Sequence, residues 1–262
     1  MQKLAKLYKD FCGLIRICGP LFALRWMFYV TSSFFAILKS GNLQLPDSAM
    51  GDGPFKVTLK QYKCHFKIKG PRCVSGIREM YVRDVYLGNG WLNVKANDVV
   101  LDLGANMGNF TNLALAIDPT VRVIAIEPSI SLNTIFTKSV DLNIGHLNRT
   151  TLIRAILGDS TKRIEDDDNY AGADRLTEKQ LLERANITRI DFIKCDIEGG
   201  EFKFLNRGSK LLAMTRALAC EVHVDAGDVS RFLADVEACG LTVGPTRYAE
   251  DGSVIFLARR SA

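Results

Sequence analysis

Val99-Val100-Leu101-Asp102-Leu103-Gly104-Ala105-Asn106-Met107-Gly108 is the stretch on which the fold of this chain turns. A short run, apolar but for Asp102, is a strand buried on both faces. It feeds a turn bracketed by Gly104 and Gly108, where missing Cβ atoms let the backbone bend sharply and approach a ligand. A helix expected over 109–116 then offers its free N–H groups to an anionic part of that ligand. The unit is not the dinucleotide fingerprint G-x-G-x-x-G, because Asn106 and Asn109 fill its second and third glycine positions. Such a loop leaves less room for a pyrophosphate and suits a ligand without one.

Outward from this loop the pattern alternates between strands and helices. Strands are expected at 121–126, 151–157, 190–195 and 217–222, with a helix over 229–239. Two closing strands, 241–243 and 253–258, flank the turn-rich stretch 248–252. Strands joined by helices predict a parallel sheet with right-handed crossovers and a ligand site at the strands' carboxyl ends. The final hairpin adds an antiparallel strand. Glu127, 23 residues beyond Gly104, ends the second strand, where a carboxylate can accept both hydrogens of a ribose diol. Asp159 closes the third strand, facing the place of an adenine amino group. Asp102 is expected to fix the loop and, through water, the ligand's ammonium. Each acid also has a plain reading as a strand-end cap or turn former.

Upstream, 55–59 and 63–69 alternate as a small antiparallel sheet with Cys64, Phe66 and Ile68 inward. From Lys56 through Arg72 there are six lysines and arginines and no acidic residue, a face for solvent or for anions. Residues 41–54 read as a linker. Of 34 basic and 29 acidic side chains, six and one lie in residues 1–40, so the remaining 28 and 28 cancel. A general attraction to nucleic acid is therefore not expected, and the excess needs a local explanation. Residues 17–38 are apolar except for Arg25 and a mild Thr31-Ser32-Ser33, and Gly19-Pro20 interrupts them. An arginine near the centre costs about 2.5–3.5 kcal/mol in a membrane span, so a helix lying in the membrane interface is the expectation. The competing reading packs it on the catalytic domain or on a second subunit of a homo-oligomer. Seven scattered cysteines without a CxxC suggest neither a disulfide framework nor a zinc site. Reduced thiols and a peripheral position on the cytoplasmic face of a membrane follow.

Four blocks in order resemble the FkbM-type methyltransferase family. They are 102–108, Ala125-Ile126-Glu127-Pro128, the run from Ile190 through Lys194-Cys195-Asp196-Ile197-Glu198-Gly199-Gly200-Glu201, and Glu221-Val222-His223. The resemblance covers about residues 72–260. It implies a class I methyltransferase Rossmann-like α/β sheet over 98–262, with a β-rich extension over 41–97 and the helical segment 1–40 outside the common core. It further implies S-adenosylmethionine as cofactor, held by Asp102, Gly104, Asn106, Gly108, Glu127 and Asp159. The methyl acceptor is expected to be a hydroxyl of a sugar, glycolipid or polyketide-like metabolite. An acceptor hydroxyl must lose its proton, and the candidates at the fourth and fifth strand ends are Asp196, Glu198, Glu201, Glu221 and His223. Of these, Asp196, Glu198 and His223 are the expected catalytic residues, His223 because imidazole titrates near neutral pH. A cation on Asp196 and Glu198 would need further ligands, and no metal site is assigned. An NAD(P)-dependent oxidoreductase and a non-catalytic cofactor-binding membrane scaffold are the alternatives. The missing glycines and the closing hairpin count against the first, and the intact loop against the second.

Overall fold

The fold is described from a computed structural model over residues 2–40, 43–158, 168–248 and 252–261. Asp159 and residues 249–251 of the expected turn lie outside the described residues.

A seven-stranded mixed sheet flanked by helices forms the body, a Rossmann-like arrangement. Strands β1 (Phe55–Leu59) and β2 (Cys64–Ile68) form a separate hairpin. The main sheet holds β3 (Val99–Leu103), β4 (Arg122–Ile126), β5 (Thr150–Ile153), β8 (Phe192–Cys195), β9 (Ala217–Val222), β10 (Thr242–Tyr248) and β11 (Val254–Arg259). Its order is β10-β11-β9-β8-β3-β4-β5. The five strands from β9 to β5 run parallel, and β11 and β10 close the edge antiparallel. The carboxyl ends of β3, β4, β8 and β9 therefore share one edge, and the loop after β3 lies at its middle.

The expected third strand is two strands. After β5 the chain leaves the main sheet at Arg154, whose guanidinium donates to the carbonyls of Pro128 and Ala171. Ala155–Leu157 (β6) then pairs in parallel with Asp174–Leu176 (β7). The first closing strand is longer than expected and shifts register between Val243 and Thr246. The linker contains a helix, Gln44–Ala49, with Pro46 and Asp47 buried.

The terminal segment differs most from expectation. Three helices, α1 (Gln2–Cys18), α2 (Pro20–Ser32) and α3 (Phe34–Ser40), replace one. Gly19, at φ 97°, breaks the first pair, and proline at the next position starts α2 without needing an N–H. The second break bends α2 against α3 by 71°. Among the described residues no single helix is long and apolar enough to cross a membrane, although that bent pair has the length and composition to do so. Leu14, Ile17, Ala23, Trp26 and Val30 are buried in a core shared with β1, β2 and one face of the main sheet. Trp26, within the apolar run, donates its indole N–H to Asp47 at 2.8 Å. Arg78 lies over its ring and binds Asp10 and Asp47, while Arg83 also binds Asp10. Leu21, Leu24, Phe28, Phe34, Phe35 and Leu38 remain exposed. The helices thus pack with one side and present apolar rings with the other. A second core covers the opposite face of the sheet with Phe204, Leu211, Phe232 and Val236. All seven cysteines are free.

Candidate active site

The loop after β3 is held from three sides. Gly104 (φ 74°) lies so close to β8 that a Cβ there would stand 1.7 Å from the carbonyl oxygen of Asp196. Gly108 (φ 79°) precedes the helix Asn109–Ile117. Glu127, buried at the end of β4, accepts the Asn106 N–H at 2.9 Å and the Ser129 N–H at 2.9 Å, one on each oxygen. Each oxygen keeps a second lone pair for a ligand. Burial raises the Glu127 pKa against those two bonds. Lys194 donates to the Gly104 carbonyl at 2.6 Å and lies 3.6 Å from Asp102 and 3.8 Å from Asp196. Burial works against its charge, but the two carboxylates outweigh it and raise its pKa.

Gly104, Asn106, Glu127, Asp196 and Glu198 line one cleft, with Ile126, Pro128, Leu157 and Tyr170 as apolar walls. That suits a nucleoside, with few polar groups on apolar walls. A second cleft shares Gly104, Asn106 and Asp196 with the first and continues over Met107, Lys194 and Glu221. Its opposite wall comes from upstream, with Asp47, Arg72, Glu79 and Tyr86. Two of the residues expected to hold the cofactor line neither cleft. Asp102 is fully buried and lines neither cleft, accepting instead from Thr111 at 2.7 Å. Gly108 packs against Phe136, also away from both clefts.

Asp196 follows β8 directly. Glu198 holds φ 56° in the left-handed region, a backbone that costs a non-glycine residue free energy. Glu201 is fully buried; its Oε1 accepts the N–H groups of Ile197 and Gly199 and meets His223 Nδ1 at 3.3 Å. Its role is to hold this loop and the imidazole. His223, one residue past β9, lines neither cleft, and its Nε2 lies 3.4 Å from Glu198. The Glu201 hydrogen bond, with added charge from Asp196 and Glu198, raises its pKa to about 9. As a free imidazolium it is a poor base at neutral pH.

Two residues stand beside Asp196 in the second cleft: Glu221, one of the expected strand-end candidates, and Tyr86, which no sequence signal singled out. Tyr86, from the upstream extension, places its hydroxyl 3.4 Å from Asp196 and 3.3 Å from Glu221. Burial keeps its pKa well above the usual value, so it stays a donor. Glu221 accepts from Ser253 at 2.6 Å, and burial beside Asp196 raises its pKa to about 7. Lys194 was visible in the sequence, but not as the group that clamps Gly104.

The site fits the expected cofactor on two observations. The cradle at Gly104 has no space for a Cβ, and the cleft beside it ends on the partly satisfied Glu127 carboxylate. Comparisons agree. The model of the methyltransferase FkbM domain matches residues 102–240. No curated protein matches the chain. Fibrillarin from Aeropyrum pernix, solved with natively bound S-adenosyl-L-methionine, is similar at 14% identity and a TM-score of 0.46 over 78% of this chain and 93% of that one. Precorrin-6y C5,15-methyltransferase from Geobacter metallireducens has 14% identity and a TM-score of 0.46, over 69% and 88% of the two chains. The fibrillarin pre-rRNA processing protein of Methanococcus jannaschii has 18% identity and a TM-score of 0.45, over 64% and 69%.

Proposed function

This chain belongs to the FkbM family of S-adenosylmethionine-dependent methyltransferases, and from that membership we propose that it methylates a hydroxyl of a glycan, glycolipid or related metabolite at the cytoplasmic face of a membrane. The oxidoreductase and scaffold alternatives are set aside by the family. The strand order with its antiparallel closing hairpin supports the class I form of the sheet.

One observation carries the hydroxyl reading: Tyr86, Asp196 and Glu221 meet where the two clefts join. A bound cofactor supplies a methyl group on sulfur, and transfer to oxygen leaves one proton to remove. Glu127 would hold the ribose, and the loop from Gly104 to Met107 would hold the methionine end. Lys194 keeps Gly104 in place through its carbonyl. Asp196 orients the acceptor hydroxyl, and Glu221 Oε2 takes the proton while the Tyr86 hydroxyl steadies the carboxylate. Among the strand-end candidates Glu221 is the proposed base instead of His223, because Glu221 lines the cleft and His223 does not. Alignment of the acceptor supplies much of the remaining rate.

The membrane reading rests on the outer side of the terminal helices. Phe28 and Phe35 are 66% and 84% exposed, and Lys6, Lys9, Arg16, Arg25 and Lys39 are exposed near them in sequence. The segment's one acid, Asp10, is buried against Arg78 and Arg83. Exposed apolar rings with exposed cations suit an anionic lipid surface.

Incubating cell fractions with methyl-labelled S-adenosylmethionine and the protein tests the reaction. Label is expected in a polar lipid or saccharide, in an ether that resists base. Label in protein or nucleic acid would overturn the acceptor class.

A further inference from the structure

We infer that Asp196, Glu198 and His223 form a binding site for one divalent transition-metal cation, which receives the acceptor hydroxyl. The inference deepens the hydroxyl-methylation reading and rests on it for the cation's use, though not for its binding.

One ligand atom from each of the three residues lies within 4.8 Å of the other two. Cis ligands of a bound ion stand about 3 Å apart at metal–ligand distances near 2.1 Å, so small side-chain rotations close the set. An imidazole with two carboxylates suits Mn²⁺ or Zn²⁺ better than Ca²⁺. Three protein ligands leave open positions, as sites that act on a substrate require.

A second observation concerns the far side of the imidazole. Metal-bound histidines typically give their other ring N–H to a carboxylate, which fixes the tautomer and turns the free lone pair to the ion. Glu201 has that position: its Oε1 is 3.3 Å from Nδ1, and it is fully buried. Its Oε2, equally buried, has no hydrogen-bond partner among the described residues. With Nδ1 bound there, Nε2 is the atom facing Glu198. A histidine kept only for packing would not need a buried carboxylate behind it and two more in front.

The location gives the cation a task. Asp196 and Glu198 are walls of the cofactor cleft, and Asp196 also belongs to the second cleft with Glu221. A cation held there meets a hydroxyl entering between the clefts and lowers its pKa as a Lewis acid. The proton then passes to Glu221. A vicinal diol could offer both oxygens to the open positions, which favours a sugar ring over an isolated alcohol.

The test is Mn²⁺ binding to the full chain, followed by electron paramagnetic resonance without cofactor or acceptor. One Mn²⁺ per chain is expected, displaced by Zn²⁺ and weakened at least tenfold in both His223→Ala and Glu198→Gln. Glu198 is exposed, so its variant keeps the test meaningful if His223→Ala folds poorly. No bound Mn²⁺, or binding that both variants leave unchanged, overturns the site. Bound metal with label entering protein instead of a hydroxyl compound would keep the site and overturn the acceptor reading. Metal-free chain that methylates a saccharide at full rate would keep the acceptor reading and overturn the cation's use in the reaction.

Discussion

Arg78 meets Asp10 at 2.8 Å, and both side chains are buried, joining the first helix of the chain to the segment that walls the second cleft. Removing one member of a buried pair strands the charge left behind, typically at about 3–5 kcal/mol. Arg78→Ala is expected to cost about 3 kcal/mol in urea unfolding, because Arg83 still serves Asp10 and Trp26 still serves Asp47. Deleting residues 1–40 removes Asp10 and Trp26 together and uncovers the core beneath them. That truncation should aggregate instead of yielding a soluble enzyme, and a folded monomer by gel filtration would count against this packing.

Membrane attachment is therefore better tested by point changes. Phe28→Glu with Phe35→Glu alters two exposed rings and no buried contact. The doubly substituted protein should keep its melting temperature and lose sedimentation with anionic vesicles. Equal sedimentation of the two proteins would remove the terminal helices as the attachment.

Gly104 has a contrasting partner in Gly145. Both sit at positive φ, 74° and 77°, but a Cβ at Gly145 meets nothing within 4 Å. Gly145→Ala should cost about 1 kcal/mol for the left-handed backbone and leave S-adenosylmethionine binding intact. Gly104→Ala drives the loop off the Asp196 carbonyl, and calorimetry should show no cofactor binding. Normal binding in Gly104→Ala would mean that the loop has slack the close contact denies.

Glu127→Gln replaces one accepting oxygen by a donor, so either Asn106 or Ser129 loses its partner. Cofactor affinity should fall at least tenfold, about 1.4 kcal/mol or more, with little change in melting temperature. An unchanged dissociation constant would detach Glu127 from the ligand.

His146 provides a pH signature away from the site. It is buried with Nδ1 3.0 Å from Asn112, and burial, aided by Arg149, pushes its pKa down to about 4. The unfolded chain binds this proton near pH 6.5 and the folded chain only near 4. Its stabilisation is complete above 6.5 and is lost as pH falls toward 4. Between pH 7 and 5 the loss is roughly 1–2 kcal/mol, read from urea midpoints. His146→Gln should flatten that part of the pH dependence, and an unaltered slope would show that the imidazole charges freely in place.

The sheet and its loop were legible because short apolar runs and punctuating glycines are local signals. Val99–Leu103 and Ala217–Val222 match the expected bounds to the residue. The run from Thr151 to Leu157 has strand character throughout, and only pairing with Asp174–Leu176 divides it. The terminal helices misled for a different reason. An apolar residue facing lipid and one facing protein are the same residue type, and the mate that claims Trp26 is a carboxylate 21 positions away. In the site, Glu127 and Asp196 could be placed by strand ends. Tyr86 could not, because a lone tyrosine in an irregular stretch carries no period to read.

Asp47 is both a wall of the second cleft and the partner of Trp26 and Arg78. One carboxylate thus ties the packing of the terminal helices to the wall of the second cleft. A change in those helices that disturbs Asp47 should accordingly reshape that cleft, so that the two are inherited together.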